Sequence, residues 1–218
     1  MRLVPSKTNL LLFTPKNFEP ELLDFWKGLA PIKMDGKSLG FSQHAEHVGV
    51  LRDVSGSNLP AITSRISSHL KSIFHLLSCG GARSHGGNPA AAIAIENLYS
   101  APSLYSGPAT LVLSSAEMDV LSKHQKRTLE QLQRLHPRTP SMAVHFLSGV
   151  LPSTAQLHIK QFSLLGMIAR LGSENVLYQQ ALHSLRHDIK SSWFINRRKV
   201  SVMYDLPDPI MILNETPS

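Results

Sequence analysis

Residues 59–81, LPAITSRISSHLKSIFHLLSCGG, mark the point where the chain changes from short extended segments to helices. The apolar side chains in this stretch fall at positions 62, 66, 70, 73, 74 and 77, which is the spacing of one helix face. Pro60 suits the first turn of a helix, and the Gly80-Gly81 pair suits its end. The stretch therefore predicts an amphipathic helix at the start of a mainly helical region.

Before this helix the sequence predicts short strands. Residues 9–13, NLLLF, contain an apolar run of strand length that ends at Thr14-Pro15. Residues 32–34 and 38–41 flank the turn-forming pair Asp35-Gly36 and predict a hairpin. A further strand is expected over residues 48–54.

After this helix the pattern predicts more helices and an extended tail from Leu206 onward. Ser153 with Gln156 three residues later has the spacing of a capping box. The predicted class is α+β: a small β-rich unit, residues 1–57, followed by mainly helical regions at 58–150 and 151–218. The further helices are expected over residues 90–99, 115–136, 153–172, 174–187 and 191–203.

The amino-acid composition indicates which classes of protein this chain could belong to. The 218 residues carry a formal net charge of +7, and no apolar run approaches the roughly 20 residues that a membrane span needs. With no secretion signal and a single cysteine, Cys79, the sequence predicts an intracellular protein of nucleus or cytoplasm with no membrane partner. A surplus of basic residues is typical of proteins that bind nucleic acid.

Two clusters contain ten of the 22 Lys and Arg residues. Residues 123–138 hold five Lys or Arg against one acid, Glu130, and residues 186–199 hold five against Asp188. Either cluster could be a solvated helix face, or a surface for phosphate backbones. The candidate nucleic-acid-binding residues are Lys123, Lys126, Arg127, Arg134, Arg138, Arg197, Arg198 and Lys199.

The sequence predicts neither a catalytic site nor a metal site. His44 and His47 have a spacing that differs from the His-Glu-x-x-His zinc motif, and the glycines at 80–81 and 86–87 are not followed by Gly-Lys-Ser/Thr. Two-metal polymerase chemistry needs clustered carboxylates, and the sequence has no Asp-Asp pair.

Several segments in order resemble the non-LTR (LINE-like) retrotransposon reverse transcriptases. Ser6–Phe13 and Glu46–Arg52 resemble the last strands of the palm, and later segments resemble the helical thumb and the connector beyond it. The resemblance extends from Ser6 to about Leu213. The later segments are Ile62–Ile66, Leu76–Arg83, Gly86–Pro89, Leu98-Tyr99 with Leu104–Gly107, Leu135–Pro140, Leu157–Leu171 and Ser192–Phe194.

The resemblance implies roles for particular residues. Lys7 would lie near the phosphates of an incoming nucleotide. His47, Val48, Gly49 and Val50 would form the strand that grips the primer end, although the family usually has an aromatic residue where this chain has His47. The basic helices would hold a duplex of RNA template and DNA primer.

The family places its Asp-Asp hairpin just before the strand that Lys7 opens, and only six residues precede Lys7 here. We therefore expect a fragment comprising the end of the palm and the thumb, inactive as a polymerase, with Mg²⁺ needed only by a complete enzyme. A strand at 9–13 without its palm neighbours would favour self-association. Two alternatives stay open: a non-enzymatic helical module that binds RNA or protein, and an unrelated enzyme.

Overall fold

The computed structural model of the chain describes residues 28, 33–34, 37–38, 42, 44–47, 50–53, 55–76, 78 and 88–214. The chain divides into two units, residues 1–64 and residues 65–218. The predicted strand at 9–13 and Lys7 lie outside the described residues, as do Val48 and Gly49.

The first unit contains two antiparallel hairpins. β1 (Lys33–Met34) pairs with β2 (Lys37–Ser38), which confirms the hairpin predicted around Asp35-Gly36. β3 (His44–His47) pairs with β4 (Val50–Asp53), and His47 lies opposite Val50 in the register.

β4 lies within the strand predicted over residues 48–54, and positions 48, 49 and 54 of that prediction lie outside the described residues. The sequence did not predict β3, which pairs with β4.

The helical region begins where the sequence predicts it, with α1 (Leu59–Leu76). The second unit is mainly helical. The further described helices are α2 (Pro89–Ile95), α3 (Ala101–Ser106), α4 (Ser115–Gln133), α5 (Ser141–Ser148), α6 (Ser153–Ala169), α7 (Val176–Arg186), α8 (Trp193–Met203) and α9 (Pro209–Asn214). A π-helical turn, Glu96–Ser100, continues α2 into α3, and a 3₁₀ turn, Pro108–Thr110, follows α3.

Two apolar clusters hold these helices together. One joins α2, α4 and α5 through residues such as Ile93, Leu129 and Val144. The other joins α6, α7, α8 and α9, with Leu165 and Leu213 fully buried at its centre. The four carboxyl-terminal helices, α6 to α9, therefore form one packed group, and α4 belongs mainly to the cluster with α2 and α5.

Two sequence predictions in this unit are wrong, and the helix α5 was not predicted. The expected extended tail contains α9, whose first turn is capped by Asp208 through Ile210 N–H at 2.9 Å. The capping box at Ser153 is also absent. Pro152 is the cap of α6, so the Ser153 hydroxyl lies inside and hydrogen-bonds to Gln125 at 2.8 Å.

Candidate nucleic-acid interface

The helix α4 carries the first basic cluster, and its ends are well defined. Ser114 accepts a hydrogen bond from the Glu117 backbone N–H, and the Glu117 carboxylate accepts one from the Ser114 N–H. This reciprocal pair is a capping box. At the other end Arg134 has a left-handed backbone, with φ of 56°, which stops the helix three residues before Pro137.

One side of α4 is buried and the opposite side is exposed. Leu121, Leu129 and Leu132 are buried, as the helical period predicts. Lys123 and Arg127 are exposed, and their spacing of four residues places them on one side of the helix. Arg134, predicted from the helical period to share this side, instead follows the last residue of α4 with a left-handed backbone, and it is exposed as well. We call these three residues the cationic face. Arg138, five residues beyond the end of α4, is exposed as well.

Acidic neighbours partly neutralise this helix. Lys123 Nζ lies 2.7 Å from Asp119 Oδ2, one turn earlier, and both side chains are exposed. Lys126 Nζ lies 3.4 Å from Glu130 Oε1, and the Glu130 side chain is buried. Because Glu130 Oε1 has no hydrogen-bond partner of good geometry, the Lys126 contact is an electrostatic one. Arg127 has no acidic partner among the described residues.

A buried polar chain, which sequence reasoning missed, lies behind α4. His69 of α1 is fully buried, and its Nε2 lies 3.1 Å from Glu96 Oε1 while its Nδ1 lies 2.9 Å from His124 Nε2. Glu96, also buried, begins the π-helical turn. The three residues are 27 and 55 positions apart along the chain, so no local sequence pattern indicates that they meet.

A second polar group fixes α4 against α6 and α3. The Ser153 hydroxyl contacts Gln125 Oε1 at 2.8 Å and Tyr105 Oη at 3.1 Å. Burial raises the pKa of Tyr105 well above its ordinary value, so this phenol stays protonated. Gln125 Nε2 donates to the Leu151 carbonyl at 2.9 Å. These bonds join the buried side of α4 to α3 and α6, and its cationic face is exposed.

The second basic cluster is placed differently. Arg197 is buried, with its guanidinium carbon 5.3 Å from the centre of the Trp193 ring. Its Nε and Nη1 have no hydrogen-bond partner among the described residues. Burial lowers its pKa to about 10. A buried guanidinium is unavailable to a phosphate backbone unless α8 moves.

Arg198 is part of an ion-pair network, and Lys199 is exposed. The Arg198 Nε lies 2.8 Å from Asp208 Oδ2, its Nη1 lies 3.6 Å from Asp188 Oδ1, and its Nη2 donates to the Leu185 carbonyl at 3.3 Å. The close Nε contact is an ion pair that lacks hydrogen-bond alignment. Arg198 thus connects α8 to the carboxyl end of α7 and to the start of α9.

The structure places the other predicted residues as follows. His47 pairs with Val50 in the register of β3 and β4, and Val50 is buried. Within the described ranges, no group of three or more His, Cys, Asp or Glu side chains is arranged to hold a metal ion. In the same residues no helix is both long enough and apolar enough to cross a membrane.

No family model, no curated protein and no solved structure matches this chain.

Proposed function

We propose that this chain binds duplex nucleic acid through the cationic face of α4, as the thumb-like part of a protein related to non-LTR reverse transcriptases. The observation that supports this most is the exposure of Lys123 and Arg127 on one side of a helix whose opposite side is packed, with Arg134 exposed at its end. Two cations on a helix and a third at its end can contact a phosphate backbone, which binds them without sequence preference. Such binding would take place in the nucleus or the cytoplasm.

The relation to a polymerase rests on the ordered sequence segments, and the expected substrate is a template–primer duplex. Because the 218 residues hold no Asp-Asp pair, we expect no nucleotide addition by this chain alone. A primer-extension assay with Mg²⁺ and an RNA template checks this expectation. Robust synthesis would contradict it.

Charge reversal tests the binding proposal. The variant Lys123→Glu/Arg127→Glu/Arg134→Glu should weaken binding of a 20-bp duplex by roughly 100-fold or more at 50 mM salt, because three phosphate contacts become repulsive. Lys71→Glu, at an exposed cation of α1, is the matched control and should weaken binding by less than about threefold. Fluorescence anisotropy measures both, and equal losses would contradict the proposal.

One observation favours the alternative, a module that binds protein. Met142 and Phe146 of α5 are each 86% exposed, and Leu147 is 62% exposed. Adjacent exposed apolar side chains often mark protein contacts. The variant Met142→Ser/Phe146→Ser separates the two functions: it should leave duplex affinity unchanged, whereas sedimentation velocity should show less association if α5 contacts protein.

A further inference from the structure

An open cavity of about 600 Å³ lies between α4 and α5. Lys123 and Lys126 of α4 line it from one side, and Met142 and His145 of α5 line it from the other. Its volume falls within the range of about 300–1,000 Å³ that is typical of ligand sites. The cavity therefore brings basic side chains of α4 and an apolar side chain of α5 together.

The exposed side of α5 continues the apolar wall of this cavity. Phe146 follows Met142 by one helical turn, so the two side chains share a side of the helix, and each is 86% exposed. Val144, in contrast, is buried in the cluster that joins α5 to α4. We call the cavity, together with Met142 and Phe146, the α4–α5 groove. A phenyl ring with this exposure leaves most of its surface open to a ligand.

Hydrogen bonds hold the α5 wall of the groove in place. Gln133 of α4 donates from Nε2 to the Val144 carbonyl at 3.1 Å, which ties α5 to α4. The His145 ring donates from Nδ1 to the Val150 carbonyl at 3.0 Å, because a carbonyl oxygen can only accept. A wall that is already ordered reduces the entropy lost when a ligand binds.

The charges of the groove favour an anionic occupant. Among the described residues that line the cavity, Lys123 and Lys126 are cations and Asp119 is an acid. Arg127, the residue after Lys126, is exposed. The groove thus has a net positive charge next to apolar surface. A protein partner that contacted only Met142 and Phe146 would make no use of these cations.

A single strand of nucleic acid has both of the chemical groups that the groove suits. Each nucleotide carries an anionic phosphate and a flat base, and proteins bind such strands in basic grooves where aromatic side chains stack on the bases. In a duplex the faces of the bases are stacked on one another, so an aromatic ring on the protein surface cannot reach them. Cations beside an exposed phenyl ring therefore favour an unpaired strand.

We propose that the α4–α5 groove binds single-stranded nucleic acid, with backbone phosphates at Lys123 and Lys126 and a base stacked on Phe146. This inference rests on the proposed function, because Lys123 belongs to the cationic face, and it adds a site for an unpaired strand beside the duplex. It also gives a role to Lys126, which is half-buried and is not part of the cationic face.

Loss of the Phe146 ring tests the stacking contact. Anisotropy titrations at 50 mM salt compare a 20-nucleotide oligothymidylate, which forms no internal base pairs, with a blunt 20-bp duplex. Phe146→Ala should weaken oligothymidylate binding by roughly 5- to 150-fold, the range for one stacked base, and should change duplex affinity by less than about twofold. Phe146→Tyr keeps an aromatic ring and should retain most of the affinity. Phe74→Ala, at an exposed phenylalanine of α1, is the matched control and should change neither affinity.

The results separate this inference from the proposed function. Equal oligothymidylate affinities of the wild type and Phe146→Ala would overturn the inference, whereas duplex binding that depends on the cationic face would leave the proposed function standing. A variant that lost only self-association or protein association in sedimentation velocity would overturn the inference in favour of a protein contact. Absence of binding to either nucleic acid by the wild type would overturn both proposals.

The salt dependence of Lys126→Gln tests the phosphate contact. The slope of log K against log salt for oligothymidylate should decrease in magnitude by about 0.7, the contribution of one phosphate contact of a single strand, and the slope for the duplex should stay the same. The Gln amide can still donate a hydrogen bond towards the buried Glu130 carboxylate, which lies next to Lys126. Circular dichroism checks that the variant is folded. An unchanged oligothymidylate slope in the folded variant would overturn the inference.

Discussion

The helices α4 and α8 contain similar basic clusters, yet the structure uses their charges in different ways. On α4 the cationic face is exposed, and Arg127 has no acidic partner in the described part of the chain. On α8 Arg197 is buried against Trp193, and Arg198 is held by Asp188 and Asp208. The difference teaches that a count of basic residues identifies candidates for binding, whereas burial and ion pairing decide which charges a ligand can reach.

Loss of the Arg198 network should have the largest effect on stability. Arg198→Ala removes two ion pairs and one hydrogen bond to a carbonyl. It leaves the partly buried Asp208 without its ion-pair partner. We expect the free energy of unfolding to fall by about 2 kcal/mol, less than for a fully buried pair because the side chains keep some solvent contact. Urea denaturation measures this value. If Arg198→Ala lowered duplex affinity and left stability unchanged, the contrast drawn between α4 and α8 would be wrong.

Acid should destabilise the fold through His124. The folded-state pKa is about 4 and the unfolded value is near 6.5, so the unfolded chain binds more protons between these values and stability falls as pH drops from about 6.5 to 4. The loss should be on the order of 1–2 kcal/mol, a discounted figure since the ring is partly solvated.

The measurement is urea denaturation at pH 7 and pH 5 for the wild type and for His124→Gln. The histidines that do not contact His124 contribute equally to both proteins, so the difference between the two pH dependences measures His124 together with its neighbour His69. Identical pH dependences would refute the claim.

Removing the buried charge on α8 should cost little. Arg197→Met keeps the length of the side chain and eliminates two unpartnered nitrogen atoms, at the loss of the contact with Trp193. These effects oppose each other, and replacement of buried charges by apolar groups is often neutral, so the free energy of unfolding should change by less than about 1 kcal/mol. Thermal denaturation checks stability. A tenfold loss of duplex affinity would show that α8 contributes to binding.

The smallest effect concerns the acid that neutralises Lys123. Asp119→Asn breaks an exposed pair of side chains one turn apart, so stability should fall by about 0.3–0.5 kcal/mol. Duplex affinity should rise roughly twofold, because one negative charge leaves the neighbourhood of the phosphates. Anisotropy at 50 mM salt measures the gain. Weaker binding by this variant would argue against phosphate contact at Lys123.

Local rules predicted much of the helical unit. The apolar period located α1, α4 and α6, although the capping box of Ser114 and Glu117 that begins α4 was not predicted. Local rules failed where a proline cap replaced a side-chain cap, as at Pro152, and where a short helix such as α5 depends on packing of Val144 against Leu129 and Leu132.

The candidate site was predictable only in part. The spacing of Lys123 and Arg127 along a helix determines that they share a side, whereas the left-handed backbone of Arg134 was not predicted. The burial of Arg197 and the meeting of Glu96, His69 and His124 depend on how distant segments pack, so single-sequence periodicity contains no signal for them. Lys7 and the primer-grip residues Val48 and Gly49 lie outside the described residues, so the roles predicted for them stay predictions.

The salt dependence of duplex binding tests the central claim most directly. The slope of log K against log salt should decrease in magnitude by about 2–3 in Lys123→Gln/Arg127→Gln/Arg134→Gln, because each lost phosphate contact removes about 0.9. In Arg197→Met/Lys199→Gln the slope should change by less than about one. An unchanged slope in the α4 variant, or an equal decrease in the α8 variant, would contradict the claim that the cationic face of α4 is the surface that binds nucleic acid.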